Sequence, residues 1–126
     1  MLKSIEIVAV GGRVRDVVPF SAYLFYKLEG AGGALGFDGD ETATGWASTR
    51  QAQALTPDEV VAQAETMCSE FGFGSIKLKG GAMPPADEVD AMFALREAFG
   101  PEVPLRLDPN AIWSVETAIE MGRRLE

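Results

Sequence analysis

Apolar positions along this chain recur with two different spacings, and the switches between them predict its elements in order. The run Pro19-Phe-Ser-Ala-Tyr-Leu-Phe-Tyr-Lys27 is dense in aromatic residues and soon followed by glycines, which predicts a first, largely buried strand. Between Glu29 and Leu55 no period is sustained among Gly, Ala, Asp, Thr and Gln, and a stretch of that length is functional, disordered or partly structured. Thr56, Pro57 and Glu59 then combine a capping hydroxyl, a proline at the first helical position and a capping-box carboxylate. Val60, Val61, Ala64, Met67 and Cys68 follow as the apolar stripe of that helix. Gly72 and Gly74 stop it, and Ser75 to Lys79 predicts a second short strand ended by Gly80 and Gly81.

The second helix is predicted over Asp87 to Phe99, with Val89, Met92, Phe93 and Leu95 turned inward and Gly100-Pro101 as its stop. Pro104 to Leu107 predicts a third strand leading into Asp108-Pro-Asn, after which Ser114 caps a last helix carrying Ala118, Ile119 and Met121. Strand and helix alternate throughout, which predicts an α/β fold with a parallel sheet and helices packed outside it. A doubly wound sheet and a stretch of a (β/α)8 barrel both satisfy that order, and the pattern does not choose between them. Glu126 falls inside or at the end of the last helix with no glycine, proline or polar tail after it, so a unit cut short is expected.

Composition narrows the function. With 47% hydrophobic and 24% charged residues, the 126-residue chain has the balance of one globular unit. A net charge of −8 and no basic stripe exclude a nucleic-acid partner, which needs clustered Lys and Arg. The segment Met1 to Val10 is too short and too interrupted for a secretory or spanning segment, so no membrane partner and a cytoplasmic location are expected. The single Cys68 lies among apolar helical positions and reads as a small core residue. There is no histidine, so chemistry must use carboxylates, lysines or tyrosines.

Lys77 and Lys79 stand two apart on a strand, on one face and toward its carboxyl end, where α/β enzymes place their sites. A bare Lys-x-Lys is more often a solvated pair on an edge strand. Asp108 and Asn110 end the next strand with oxygens suited to a hard cation, although Asp-Pro-Asn is equally a common turn. Together they converge on one mouth of a parallel sheet, where a lysine can remove a proton α to a carboxylate. Gly30-Ala-Gly-Gly-Ala-Leu-Gly36 does not open a helix and is set aside as a dinucleotide loop, and Gly80-Gly81 lacks phosphate-loop spacing. Trp46 serves equally well as a substrate cover or a packing anchor.

Phe73-Gly-Ser-Ile-Lys-Leu-Lys-Gly-Gly81, followed by Leu105-Arg-Leu-Asp-Pro-Asn110 and Trp113-Ser, resembles the glucarate dehydratase branch of the enolase superfamily, the mandelate racemase and muconate lactonizing enzyme type. Val18-Pro-Phe-Ser-Ala-Tyr-Leu-Phe25 supports the likeness, which runs from about Gly12 to the last residue. The resemblance implies a partial (β/α)8 barrel of about three β/α units, with residues 1–17 a remnant of the preceding region and 18–126 the amino-terminal part of the barrel domain. It implies a Mg2+-dependent hydro-lyase that dehydrates an acid sugar through an enediolate. Lys79 would be the base, with a lowered pKa, and Lys77 would hold and polarise the substrate carboxylate. Asp108 would be a Mg2+ ligand, and Asn110 and Tyr23 would contact substrate. The family's Asp-Pro-Asn-Gly-Ala-Trp is altered here to Ala111-Ile112 before Trp113, which bears on substrate preference. The family's two further metal ligands and its histidine come from later strands, so the chain alone is expected to be inactive, to need a homo-oligomer or a complementary barrel fragment, or to be a non-catalytic assembly module. A self-standing doubly wound binding domain would instead be a compact monomer.

Overall fold

In a computed structural model, residues 16–30, 42 and 44–126 are described, and they form four helices and three strands. The order is β1 (Ala22–Phe25), α1 (Trp46–Thr49), α2 (Pro57–Phe71), β2 (Ile76–Lys79), α3 (Pro85–Phe99), β3 (Leu105–Asp108) and α4 (Val115–Leu125). The start of α2 follows from its first residues. The Thr56 hydroxyl accepts from the Glu59 amide while the Glu59 carboxylate accepts from the Thr56 amide, so two orphan donors are satisfied. At the other end Gly72 takes the left-handed conformation, φ 69°, which a side chain resists. The second predicted helix begins at Pro85 rather than Asp87, because proline already has the helical φ and its missing amide is no loss there.

The strands make one parallel sheet in the order β1-β2-β3. Its register forms rows across the sheet: Tyr23, Lys77 and Arg106 in one, Phe25, Lys79 and Asp108 in another. The alternate residues Ala22, Leu24, Ile76 and Leu78 face a core with Val60, Ala64 and Met67 of α2 and Ala91, Met92 and Leu95 of α3. Both crossover helices thus pack on one face of the sheet, whereas a doubly wound sheet needs helices on both. The arrangement is that of a barrel wall, with its would-be interior carrying Tyr23, Lys77, Lys79 and Asp108.

Several expectations change in detail. The first strand is half-buried, not largely buried: Leu24 is sealed in the core, but Tyr23 and Phe25 are 39% and 47% exposed because they belong to the face that none of the described helices covers. On α3 the predicted core residue Phe93 is exposed, and Glu88 and Ala91 are buried instead. Of the predicted apolar face of α4 only Met121 is buried, since among the described elements that helix packs chiefly on α3. The irregular stretch from Glu29 to Leu55 is partly structured by α1 and by an antiparallel bridge between Lys27 and Ala54. Trp46 packs against the core with the Lys27 Nζ 5.3 Å from its ring centroid, the anchor of its two readings. The segment Met1 to Val10 and the glycine-rich run after Gly30 lie outside the described residues.

Candidate active site

β2 ends with Lys79 and β3 with Asp108, and their register places these two residues side by side. Lys77 lies two residues back on the same face, so both ammonium groups reach one carboxylate oxygen: Lys77 Nζ is 2.8 Å and Lys79 Nζ 3.0 Å from Asp108 Oδ2. The other oxygen, Oδ1, accepts from the Asn110 amide at 3.1 Å. The Lys77 Nζ also stands 5.0 Å from the centroid of the Tyr23 ring, within cation–π reach. Asn110 Nδ2 donates to the Gly80 carbonyl at 3.5 Å and ties the β3 turn to the β2 turn. All five residues read from the sequence therefore meet at the carboxyl end of the sheet.

The electrostatics of this cluster run against one expectation. Hydrogen bonds from Lys77, then Lys79, then the Asn110 amide hold the Asp108 carboxyl well below the usual carboxylate range. Lys79, expected to be lowered, is raised above the ordinary lysine value, chiefly by its hydrogen bond to Asp108. The reason is geometric: Asp108 turns its negative oxygen to the lysines, and an ammonium next to a carboxylate gives up its proton less readily. A neutral Lys79 requires that contact to break.

The turns that frame the mouth are tight. Gly81 has φ 81°, and a Cβ there would lie 2.7 Å from the Pro109 carbonyl oxygen and 3.0 Å from Ile112 Cγ2. Asn110 and Ala111 both have left-handed φ values, 56° and 57°. A shallow cleft of about 260 Å³ opens between the turns at Gly81 to Met83 and Ile112 to Ser114, and neither Lys77 nor Lys79 lines it. Below the mouth lies a residue that sequence reasoning missed. Glu88 is fully buried, and its Oε1 accepts from the Ala82 and Met83 amides at 3.0 Å each. Its one signal was its place on the helical stripe four and seven residues before Met92 and Leu95, where a carboxylate is unexpected.

As a Mg2+ site the cluster is partial. A carboxylate is a suitable hard donor, but Asp108 stands alone with two ammonium groups on it, and among the described residues no three His, Cys, Asp or Glu gather to hold a metal.

Residues 59–126 match the enolase C-terminal domain-like family, more than half of the chain. The chain belongs to that family. A probable glucarate dehydratase of Streptomyces coelicolor is 46% identical over 116 residues, 92% of this chain and 25% of that protein. A solved enolase structure from Thermobispora bispora, complexed with magnesium and formate, superposes with a TM-score of 0.74 at 52% identity, covering 92% of this chain and 24% of that one. An enolase from Mycobacterium smegmatis complexed with tartrate gives 0.73 at 49%, covering 92% and 25%. The chain thus spans about a quarter of the length of these enolase-superfamily relatives, and its three-stranded parallel sheet is a segment of their barrel. No helix among the described residues is long and apolar enough to cross a membrane.

Proposed function

We propose that this chain is the amino-terminal barrel segment, residues 18–126, of a cytoplasmic acid-sugar dehydratase, a hydro-lyase acting on a glucarate-like substrate. The observation that carries the reading is the convergence of Lys77 and Lys79 on Asp108 at one strand mouth. In this reading Lys77, backed by the Tyr23 ring, binds the substrate carboxylate and draws charge from it. Lys79 Nζ takes the proton from the adjacent carbon once Asp108 has released it, and Asn110 hydrogen-bonds substrate beside it. The electron pair left on carbon then expels the β-hydroxyl, which takes its proton from a group supplied by another part of the barrel. Asp108 would contribute one oxygen to Mg2+, whose charge would favour loss of the α-proton, with further ligands from elsewhere. With a single carboxylate and Lys79 held as an ammonium, the chain by itself is inactive in this reading, and a complementary barrel segment is its partner.

The test is a graft. Residues 18–126 replace the matched part of the Streptomyces coelicolor relative, and the purified graft is assayed with Mg2+ and a panel of diastereomeric six-carbon diacids for water loss and for α-proton exchange in D2O. Exchange that disappears on Lys79→Ala is the expected result. A folded graft that exchanges no α-proton, beside a parent that does, would refute the reading.

A further inference from the structure

Glu88 is a carboxylate in the core for which the site described above has no use. It is 0% exposed, it sits in the first turn of α3, and its two oxygens do different things. Oε1 accepts the amides of Ala82 and Met83, the turn that leads from β2 into α3. Oε2 has no hydrogen-bond partner among the described residues and lies over Gly80, so close that a Cβ on that glycine would come within 2.5 Å of it. Gly80 is the residue directly after Lys79, and its amide donates to the Asp108 carbonyl at 2.9 Å. One buried side chain therefore bears both on Gly80, the residue through which the chain leaves β2 after Lys79, and on the turn at Ala82 and Met83 just beyond it. The Tyr26 hydroxyl is likewise buried without a partner among the described residues, and burial, then Glu88 and Asp87, push its pKa up.

We propose that Glu88 is a positioning residue for Lys79: by clamping Ala82 and Met83 and filling the space above Gly80, it fixes the strand exit that aims the Lys79 amine at the mouth. The absence of a side chain at residue 80 is then a steric requirement, first of Glu88 Oε2 and next of Leu107 Cδ1, which a Cβ there would meet at 3.0 Å, since φ at Gly80 is not in the left-handed region that demands glycine. A buried carboxylate spends its desolvation cost only where its hydrogen bonds hold something that an apolar side chain would not. Lys79 adjoins Gly80, the residue that Glu88 lies against, whereas Lys77 is two residues further back along β2 and serves as the internal reference. The inference rests on the reading of Lys79 as the proton acceptor, but its test does not use turnover.

The full 126-residue chain is treated with formaldehyde and borohydride under folding conditions, and the methylation rates of Lys77 and Lys79 are compared by peptide mass spectrometry. Glu88→Ala should raise the Lys79 to Lys77 rate ratio severalfold. Glu88→Gln, whose amide carbonyl accepts from the same two amides, should return it to the parent value. Gly80→Ala keeps Glu88 but drives a methyl group against its Oε2 and, less closely, against Leu107 Cδ1, and should raise the ratio as Glu88→Ala does; where Glu88→Ala does not fold, Gly80→Ala is read beside Gly80→Ala with Leu107→Ala, which relieves the Leu107 contact and should leave the ratio raised. An unchanged ratio in Gly80→Ala, or an equal rise at both lysines, overturns the proposal. Failure of the graft to exchange an α-proton while the ratio shifts as stated refutes the dehydratase reading and leaves the clamp standing.

Discussion

Ala111 occupies a backbone conformation, φ 57°, in which its Cβ crowds the following carbonyl, and no glycine relieves it. Ala111→Gly should therefore stabilise the chain by about 1 kcal/mol, read as a higher midpoint with an unchanged slope in urea unfolding. Asn110 needs no such relief, because its short amide tolerates the left-handed region. Asp108 sets a second expectation. Its folded pKa is depressed and that of Lys79 is raised, so the pair's stabilising effect is whole between their ordinary values, 3.8 and 10.5. It is lost as pH falls through the folded value of Asp108 and as pH rises through that of Lys79. Replacing Asp108 by Asn should move the Lys79 titration midpoint down toward the ordinary lysine value, measured on its ε-methylene carbon by NMR.

Among the elements, α2 is the one whose local chemistry most fully explains its existence. The reciprocal bonds of Thr56 and Glu59 include a long one, 3.4 Å from the Glu59 amide to the Thr56 hydroxyl, so Thr56→Ala should cost about 0.5–1 kcal/mol, measurable by thermal or denaturant unfolding. The amides of Leu55 and Thr56 hold the Glu59 pKa down to about 2. Its contribution is present above its ordinary 4.5 and fades as pH falls toward 2, so Glu59→Gln should flatten the acid limb of the stability profile there. Such an element is legible because every signal for it lies within a few residues. The same holds for β2 and β3, whose glycine and proline boundaries are local. The site was legible for a related reason: a spacing of two on one strand and a strand-end aspartate on the next are fixed by pleat and parallel order. What stayed hidden depends on contacts distant in sequence. Phe93 and Glu88 exchanged places in the expected core because the carboxylate answers to amides at Ala82 and Met83, which periodicity does not register. The exposure of Tyr23 and Phe25 follows from which face of the sheet lacks helices, a fact of assembly.

For the whole molecule the uncovered surfaces set behaviour in solution. Val115 and Ile119 on α4 are 71% and 50% exposed, and Ile112 beside them 67%. Gln63 closes part of one sheet edge by bonding both backbone groups of Phe25. An apolar helix face of this kind favours association. Sedimentation velocity should show concentration-dependent self-association, reduced in a Val115→Lys, Ile119→Lys variant. The register across the sheet has a consequence of another kind. Lys79 and Asp108 are neighbours in space although 29 positions separate them, and the intervening α3 with its turns absorbs that distance. Insertions or deletions in the crossover can therefore be accommodated by the length of a helix or loop while the charged row stays aligned. One residue gained or lost between Lys77 and Lys79 would turn one of the amines into the oily layer beneath, so in this chain tolerance to length change and chemical function are divided between different stretches of sequence.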